Sequence, residues 1–258
     1  MGLFGKLFEK KECAICGGEI GMLGNRKLED GNMCKKCAAK LSPWFSDRKN
    51  STVAEIQEQL DYRESNKDAV AAFHTTATFG RDMKVLVDED ACKFMVTRAK
   101  DLAEANPDVI DFSQVTGVDL DIEENTDEAT RENQDGDEIS YNPPRYTYSY
   151  DFHMMIYVNH PYFDQIRFDL NSSEVETNPS SPVPFAQKPD PRRNNDYREY
   201  EKMGMEIKRI LTEGRNQVRE EAKAAAAPKA AVTCPWCGAT TTPDVSGCCE
   251  YCGGSVKG

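Results

Sequence analysis

The sequence predicts an α+β multidomain protein in which a small antiparallel β sheet or barrel, capped by a C-terminal helix, lies between two small four-cysteine modules. Three observations lead to this prediction. Eight of the ten cysteines stand in CxxC pairs at the two ends of the chain. Alternating apolar and polar residues fill the middle, and an amphipathic helical pattern follows them. A chain of 258 residues with a mean hydropathy of -0.66 favours a modest core with small modules over one large core.

The first cysteine module is predicted over residues 12–46, after a short amphipathic segment at residues 1–11. It carries two CxxC pairs, formed by Cys13, Cys16, Cys34 and Cys37. Each CxxC turn presents two thiolates to one ion, so two turns supply the tetrahedral sulfur set of structural zinc. The last pair opens CKKCAAKLSPWF, which has the character of a short helix. A cysteine turn, a hairpin and a pair on the first turn of a helix are typical of a treble clef.

The second module is predicted over residues 233–258, after an Ala/Pro tether at residues 223–232. Its pairs are formed by Cys234, Cys237, Cys249 and Cys252. Glycine follows both pairs and no helix follows, which indicates a zinc ribbon with two cysteine turns. Cys248 is spare, because only Cys249 makes CxxC with Cys252. Cys248 could replace Cys249 at the cost of a longer turn.

Two Zn²⁺ ions, one in each module, are therefore the predicted cofactors. All four positions of each site are protein sulfur, which leaves no open coordination position, so the sites should be structural and not catalytic. Iron, as in rubredoxin-type sites, is the main alternative. A redox-active thiol pair is a third interpretation, but it needs a surrounding βαβ pattern that the sequence lacks. Paired cysteines without an export signal favour a reducing cytoplasm.

A linking helix is predicted over residues 47–74, and a β domain over residues 75–222. The linking helix should begin at a capping box of Thr52 and Glu55. KVLVDEDACKFMVT predicts two short strands, and a half-buried strand follows in TGVDLDIEE. In RYTYSYDFHMMIYV every second residue from Tyr146 is apolar or aromatic, so these residues share one face, and DQIRFDL should pair with this strand as a hairpin. His153 has the opposite parity and should face solvent. Residues 125–138 are predicted to form a polar, acidic loop.

The last part of the β domain is predicted to be a helix that packs on the sheet. Its apolar residues keep a helical spacing, namely Tyr200, Met203, Ile207, Ile210, Leu211 and Val218. Antiparallel strands followed by one packing helix are the order of a pleckstrin-homology-like domain, an architecture that favours binding, although a fold does not determine function. The chain lacks the nucleophile-elbow, metalloprotease and phosphate-loop motifs. We therefore expect that it is not an enzyme.

The net charge of -12 argues against nucleic acid as the main partner. Residues 1–50, however, carry ten Lys/Arg against six Asp/Glu. The candidate anion contacts there are Arg26, Lys27, Lys35, Lys36 and Lys40. The main hypothesis is a cytoplasmic, zinc-binding adaptor that binds another protein, with its oligomeric state left open. The alternatives are a membrane-surface sensor that uses residues 1–11 and the β domain, a nucleic-acid binder that uses the first module, and an iron-containing electron carrier.

The first module and the middle of the chain together resemble an uncharacterised bacterial family. The resemblance rests on CxxC…GNRKLEDG…CxxCxxKLSPWF and on the stretches STVAEIQEQLDYRESNKDAVAAF, NPDVIDFSQVTGVDLDI and ISYNPPRYTYSYDFHMMIYVNHPYFDQIRF. It covers residues 11–170 and continues in the helix from Asp196, while CPWCG…CEYCGG resembles a generic zinc ribbon. It implies a zinc-binding N-terminal domain, with its metal held by the four N-terminal cysteines, and a pleckstrin-homology-like middle domain. It implies no activity.

Overall fold

The computed structural model describes residues 11–178, 182–226, 231–244 and 246–256. Apart from Lys11, the predicted amphipathic segment lies outside these described residues. The chain divides into two units, Met1–Arg215 and Asn216–Gly258. Both contain α and β elements and one four-cysteine cluster.

The first module consists of two small hairpins and one turn of helix. Its elements are β1 (Lys11–Glu12), β2 (Glu19–Ile20), β3 (Asn25–Lys27), β4 (Asn32–Cys34) and α1 (Lys35–Ala38). Strand β1 pairs with β2, and β3 pairs with β4, both antiparallel. The module has a small core that includes Leu28, Met33, Leu41 and two of its cysteines. Ile56, from the helix that follows the module, completes this core.

That helix, α2 (Val53–Ala72), is continuous and begins at the predicted capping box. The N–H of Thr52 donates to Glu55 Oε2 at 2.7 Å, and the N–H of Glu55 donates to Thr52 Oγ1 at 3.3 Å. The buried face of α2 is not purely apolar, since it contains Ile56, Gln59, Arg63, Asn66 and Val70. Buried polar groups are tolerated only when they are hydrogen-bonded, so α2 requires matching partners on the elements around it.

A buried polar network provides most of those partners. Arg63 Nη1 lies 2.7 Å from Asp108 Oδ1, and the two side chains are 7% and 0% exposed. Arg63 also donates through Nε to the carbonyl of Lys40 at 3.2 Å, and Ser42 Oγ donates to Asp108 Oδ2 at 2.8 Å. Asn66 Oδ1 accepts the N–H of Val109 at 3.0 Å. The network therefore connects the end of the first module, α2 and residues 106–109 within the β domain.

The first sheet of the β domain has four antiparallel strands in sequence order. They are β5 (Ala77–Phe79), β6 (Lys84–Asp88), β7 (Lys93–Thr97) and β8 (Ile110–Asp111), with the short helix α3 (Leu102–Ala105) before the last. Strands β6 and β7 are the two short strands that KVLVDEDACKFMVT predicts, and residues 89–92 form the turn between them. Gly80, at the end of β5, has φ +96°, and a Cβ there would lie 2.0 Å from the carbonyl oxygen of Met83. Only glycine fits this turn.

The second sheet is built around one long central strand. Its members are β9 (Val115–Glu132), β10 (Glu138–Val158), β11 (Gln165–Asp169) and β12 (Val183–Pro184), and β10 pairs with the other three. The predicted shared face of β10 is confirmed from Tyr148 onward, whereas Tyr146 is half-buried. The buried residues of this face are Tyr148, Tyr150, Phe152, Met154, Ile156 and Val158. The described strands form several small sheets and no closed barrel. The pleckstrin-homology-like assignment of this domain stays a prediction.

The predicted acidic loop at residues 125–138 is wrong in extent. Strand β9 continues to Glu132 and β10 begins at Glu138, so the turn occupies only residues 133–137. The two strands stay paired beyond the core, for example at Arg131 with Ile139. Backbone hydrogen bonds hold this ribbon without burial, and Arg131 and Arg145 both lie over the ring of Tyr141, at 5.7 and 5.0 Å. Alternating hydrophobicity detects only the half-buried part of a strand, so the exposed extension escaped the sequence pattern.

His153 is also placed differently from the prediction. Its side chain is only 13% exposed, with Nδ1 2.6 Å from Asp169 Oδ1 on β11 and Nε2 3.3 Å from Glu123 Oε2 on β9. Burial opposes protonation, but these carboxylates outweigh it and raise the pKa of His153. The imidazole therefore links three adjacent strands.

The predicted packing helix is present as α4 (Asn195–Ala226). Within the unit Met1–Arg215 it packs on the aromatic face of the second sheet, where the ring of Tyr197 lies 5.0 Å from Tyr150 and 5.1 Å from Phe152. Gly204 allows the close approach, since a Cβ there would lie 2.6 Å from Leu120 Cδ1. The buried residues of α4 are Tyr197, Tyr200, Gly204, Ile207 and Leu211.

The unit Asn216–Gly258 contains the end of α4 and the second cysteine module. The module has one hairpin, formed by β13 (Val232–Thr233) and β14 (Thr240–Thr241). An isolated antiparallel bridge joins Cys248 to Ser255. Across the described parts of both units, no helix combines the length and the apolar character needed to cross a membrane.

Candidate metal centres

The four N-terminal cysteines converge on one point. The Sγ atoms of Cys13, Cys16, Cys34 and Cys37 all lie within 4.8 Å of one another. Cys13 and Cys37 are buried in the core of the first module, and Cys16 is exposed. The four thiols come from two local pairs on the β1–β2 hairpin and at the start of α1, and the β3–β4 hairpin brings these pairs together.

The first pair is positioned by a tight turn. The N–H of Gly17 donates to the carbonyl of Cys13 at 2.8 Å, and the N–H of Cys13 donates to the carbonyl of Gly18 at 2.9 Å. Gly17 has φ +69°, which glycine adopts without strain. The second pair uses the helix start, where Cys34 is the N-cap and its sulfur accepts the N–H of Cys37 at 3.4 Å. The backbone thus orients the sulfurs of both pairs.

The C-terminal cluster is formed by Cys234, Cys237, Cys249 and Cys252, again with the sulfurs within 4.8 Å. The sulfurs of Cys234 and Cys252 lie 3.6 Å apart, and those of Cys237 and Cys249 lie 3.7 Å apart. Cys248 is outside the cluster, and its N–H donates to Asp244 Oδ1 at 2.9 Å. The cluster therefore contains Cys249, the cysteine that makes CxxC with Cys252.

Both cysteine turns of the C-terminal cluster have the same backbone hydrogen bonds as the turn that begins at Cys13. The N–H of Gly238 donates to the carbonyl of Cys234 at 2.9 Å, and the N–H of Gly253 donates to that of Cys249 at 2.8 Å. Both glycines have φ +70°. Three of the four CxxC pairs in the protein therefore share one backbone geometry, and the pair on α1 is the exception.

Crowding separates the pKa values of the thiols within each cluster. Burial disfavours the thiolate of Cys13, but hydrogen bonds from backbone N–H groups, led by that of Cys34, lower its pKa to about 6. Burial and the neighbouring thiols raise the pKa of Cys37. In the second cluster, backbone N–H groups likewise outweigh burial and lower the pKa of Cys249 to about 6. The N–H of Gly254 lowers the pKa of Cys252, but neighbouring thiols outweigh it and raise that pKa to about 12.

These opposed shifts indicate what the clusters require. Four thiols at such short separations cannot all ionise together, because each negative charge disfavours the next. A bound cation removes that repulsion and makes all four thiolates available at once. Both clusters could therefore hold a metal ion, and the donor set of four sulfurs fits zinc or iron.

The five predicted anion-contacting residues do not form one site. Arg26 and Lys27 lie on β3, and Lys35 and Lys36 are exposed on α1. Lys40 is separate, because it lines an open cleft of about 490 Å³ in which the other charged residues are Arg63, Lys67, Asp61, Glu64 and Glu104.

Sequence reasoning missed four exposed apolar side chains beside the clusters. Trp236 and Tyr251 each lie inside a CxxC turn, at 75% and 71% exposure. Met22 and Leu23 lie between the two hairpins of the first module. Short sequence patterns could have indicated these residues. An aromatic residue stands within each of CPWC and CEYC, and two apolar residues stand between glycines in GMLG.

Comparisons with known proteins place only the N-terminal part of the chain. Residues 11–59 match the model of a family described as a domain of unknown function, DUF4428. No curated protein and no solved structure matches the chain significantly. The matched segment contains the whole N-terminal cysteine cluster and the start of α2. The N-terminal module is therefore similar to an uncharacterised family, which agrees with the resemblance of CxxC…GNRKLEDG…CxxCxxKLSPWF to such a family.

Proposed function

We propose that this protein is a non-enzymatic adaptor whose two cysteine clusters each hold a structural Zn²⁺ and whose C-terminal module binds another protein. One observation carries the proposal: each cysteine turn of that module presents an aromatic side chain to solvent, and that of Trp236 is held in place. Exposed single apolar residues are common on protein surfaces. An exposed tryptophan that is also held in place is less easily explained without a partner.

Trp236 is held by two contacts. Its Nε1–H donates to the carbonyl of Ser255 at 3.0 Å, and its ring lies over Gly254, where a Cβ would be 2.6 Å from Trp236 Cδ1. The indole is nevertheless 75% exposed. Because its conformation is already restricted, burial against a partner costs little side-chain entropy. Tryptophan and tyrosine are also the residues most enriched at binding hot spots.

The assignment of zinc is supported by the donor set and by the turns. Four cysteine sulfurs with no open position are typical of structural zinc, and a module too small to bury a full core needs such an ion. Iron in the same sites remains the rival, and it would make the protein an electron carrier. An iron protein would be coloured, whereas zinc has no visible absorption, because its d shell is full.

The proposal includes a fold type for each of the three parts of the chain. A hairpin followed by a cysteine pair on a short helix supports a treble-clef-like first module, and two linked cysteine turns support a ribbon-like last module. Two antiparallel sheets with one packing helix support a pleckstrin-homology-like middle domain. These architectures serve binding in many settings, although fold alone does not assign function.

The test compares three tagged full-length proteins in affinity purification with quantitative mass spectrometry. They are the wild type, the double variant Trp236→Ser/Tyr251→Ser, and the control Phe185→Ser, which removes an exposed aromatic from the other unit. The metal content of each protein is measured first, so that loss of the cluster is recognised. The expected result is a protein that the wild type and the control retain equally and that the double variant retains about tenfold less.

Equal retention by all three proteins, with two metal ions in each, would contradict the proposed binding surface. A substrate turnover that survives repurification and disappears with a point substitution would contradict the non-enzymatic part of the proposal.

A further inference from the structure

The turn between β2 and β3 presents two adjacent apolar side chains to solvent. Met22 is 92% exposed and Leu23 is 91% exposed, the highest values among the large apolar residues of the described chain. The turn is closed by a hydrogen bond from the N–H of Gly24 to the carbonyl of Gly21 at 2.9 Å. Neither side chain belongs to the core of the first module. The turn is therefore a convex apolar tip, defined here as residues 21–24.

Basic residues surround this apolar tip because of the strand register. Lys11 pairs with Ile20, the residue just before the tip. Asn25, just after the tip, pairs with Cys34, so Lys35 lies at the same end of the module. Lys11 and Lys35 are both exposed, and Arg26 and Lys36 come next along the chain. Two carboxylates, those of Glu12 and Glu19, form the next pair of the β1–β2 hairpin, one position further from the tip.

The acidic residues of the second hairpin lie at the opposite end. Its turn contains Glu29 and Asp30. Asp30 Oδ1 accepts the N–H of Val53 at 2.7 Å, and the N–H of Glu29 donates to the carbonyl of Ser51 at 2.9 Å. This end is therefore attached to the start of α2. The attached end carries charges of both signs, since Arg48 Nη1 donates to the carbonyl of Lys27 there, whereas the apolar tip lies at the other end of the module.

The N-terminal segment joins the module at the same free end. Residues 1–10, MGLFGKLFEK, precede Lys11 directly, and Lys11 lies beside the tip through its pairing with Ile20. Their sequence combines the apolar residues Leu3, Phe4, Leu7 and Phe8 with Lys6 and Lys10. The composition of this segment matches that of the tip and its basic surround.

We propose that the apolar tip and its basic surround are a docking surface for an anionic lipid bilayer. Met22 and Leu23 enter the boundary between headgroups and acyl chains, where apolar side chains gain by leaving water. Lys11, Arg26 and Lys35 then lie against negatively charged headgroups, which attract cations at short range. The partner is thus a lipid surface, and the contact would attach the proposed adaptor to it peripherally.

Two other partners fit these observations less well. A stable protein interface buries about 800 Å² on each side, whereas the tip is a single turn of four residues with two apolar side chains. Nucleic acid would use the cations, but single strands are held by stacking on aromatic side chains. Met22 and Leu23 are aliphatic and cannot stack. Only a bilayer uses the apolar side chains and the cations together.

The test is co-sedimentation of the metal-loaded full-length chain with vesicles of phosphatidylcholine alone or of phosphatidylcholine mixed with phosphatidylserine. The variants are Met22→Gln/Leu23→Gln and Lys35→Glu. The control is Met205→Gln, which changes an exposed methionine on α4. We expect the wild type and the control to bind only the phosphatidylserine vesicles. The double variant should bind about a hundredfold more weakly, at roughly tenfold for each apolar side chain, and Lys35→Glu roughly tenfold more weakly.

Three results would overturn the inference. The first is a wild type that does not sediment with either vesicle. The second is a double variant that binds as well as the wild type, because the tip would then contribute nothing. The third is equal binding to both vesicle types. Binding of a single-stranded oligonucleotide that Lys35→Glu abolishes and Met22→Gln/Leu23→Gln leaves unchanged would assign the cations to nucleic acid instead. None of these outcomes depends on the C-terminal aromatic surface, so the proposed function is tested separately.

Discussion

Replacement of Arg63 by methionine should destabilise the unit Met1–Arg215 more than any surface change. In the folded protein Arg63 is the cation that faces Asp108, whose side chain is fully buried. Arg63→Met keeps most of the aliphatic stem of the side chain but leaves a buried carboxylate with only the hydroxyl of Ser42 as a side-chain partner. It also removes the hydrogen bonds that Arg63 donates to the carbonyls of Lys40 and Asn106.

The expected magnitude follows from that burial. Removal of one partner of a buried ion pair costs about 3–5 kcal/mol, chiefly because the other charge is left uncompensated. For a unit of this size, that loss corresponds to a fall in melting temperature of roughly 6–20 °C. If the uncompensated charge is the cause, Arg63→Met/Asp108→Asn should be more stable than Arg63→Met alone, since the amide carries no charge and its oxygen still accepts from Ser42.

The assay uses the two tryptophans of the chain. Trp236→Phe leaves Trp44 as the only tryptophan. Trp44 lies two residues after Ser42, which belongs to the buried network, and the backbone N–H of Trp44 donates to the hydroxyl of Ser42 at 3.2 Å. Its fluorescence during urea unfolding, with zinc in excess, therefore reports on the first unit alone. The matched control is Arg209→Met in the same background, because Arg209 pairs with Glu213 at the surface, where such pairs contribute little.

Two outcomes would refute the reasoning. One is a loss of less than about 1 kcal/mol for Arg63→Met, which is the size of a surface effect. The other is a double variant no more stable than Arg63→Met alone, which would mean that the buried charge is not the source of the cost. A control that loses as much as Arg63→Met would show that the measurement does not report on burial.

Further predictions follow from single sites. Elemental analysis of protein purified without added metal should find two zinc ions per chain and a colourless solution, and a red, iron-containing protein would contradict the zinc assignment. Cys249→Ser should lose one zinc and Cys248→Ser should lose none, whereas the reverse result would place the other cysteine in the cluster. Gly204→Ala should destabilise the protein by about 1–3 kcal/mol, measured by urea unfolding, because its methyl group would overlap Leu120. The raised pKa of His153 means that its stabilising contribution is fully present below the unfolded value of about 6.5 and is lost as the pH rises through the folded value. His153→Gln should therefore lower the melting temperature more at about pH 6 than at about pH 9, and an equal effect at both values would argue against the protonated imidazole.

Several features of the fold were predictable because their causes lie within a few residues. The capping box of Thr52 and Glu55 needs only one turn of helix. The buried face of β10 follows from the parity of its residues, and each CxxC turn from two cysteines and a glycine. In all these cases the chain forms the contact with its own near neighbours, so the sequence pattern contains the geometry.

Other features escaped prediction because their partners are distant in sequence. Arg63 and Asn66 would be expected to face solvent on an isolated helix, and they are buried because the segment before β8 supplies acceptors and donors for their groups. His153 has the parity of a solvent-facing residue, but carboxylates on both neighbouring strands cover it. The exposed ribbon beyond residue 125 has no apolar face to mark it as a strand.

The sequence by itself determined the two cysteine clusters, the order of the elements and the buried face of β10, since these depend on spacing and periodicity. Only the tertiary structure decided how the first module is oriented. Strand register, which no local pattern specifies, gathers Lys11, Lys35 and the apolar tip at one end and attaches Asp30 to α2 at the other. The physical reason is that charge and exposure at a surface are sums over residues that are distant in sequence and are brought together only by folding.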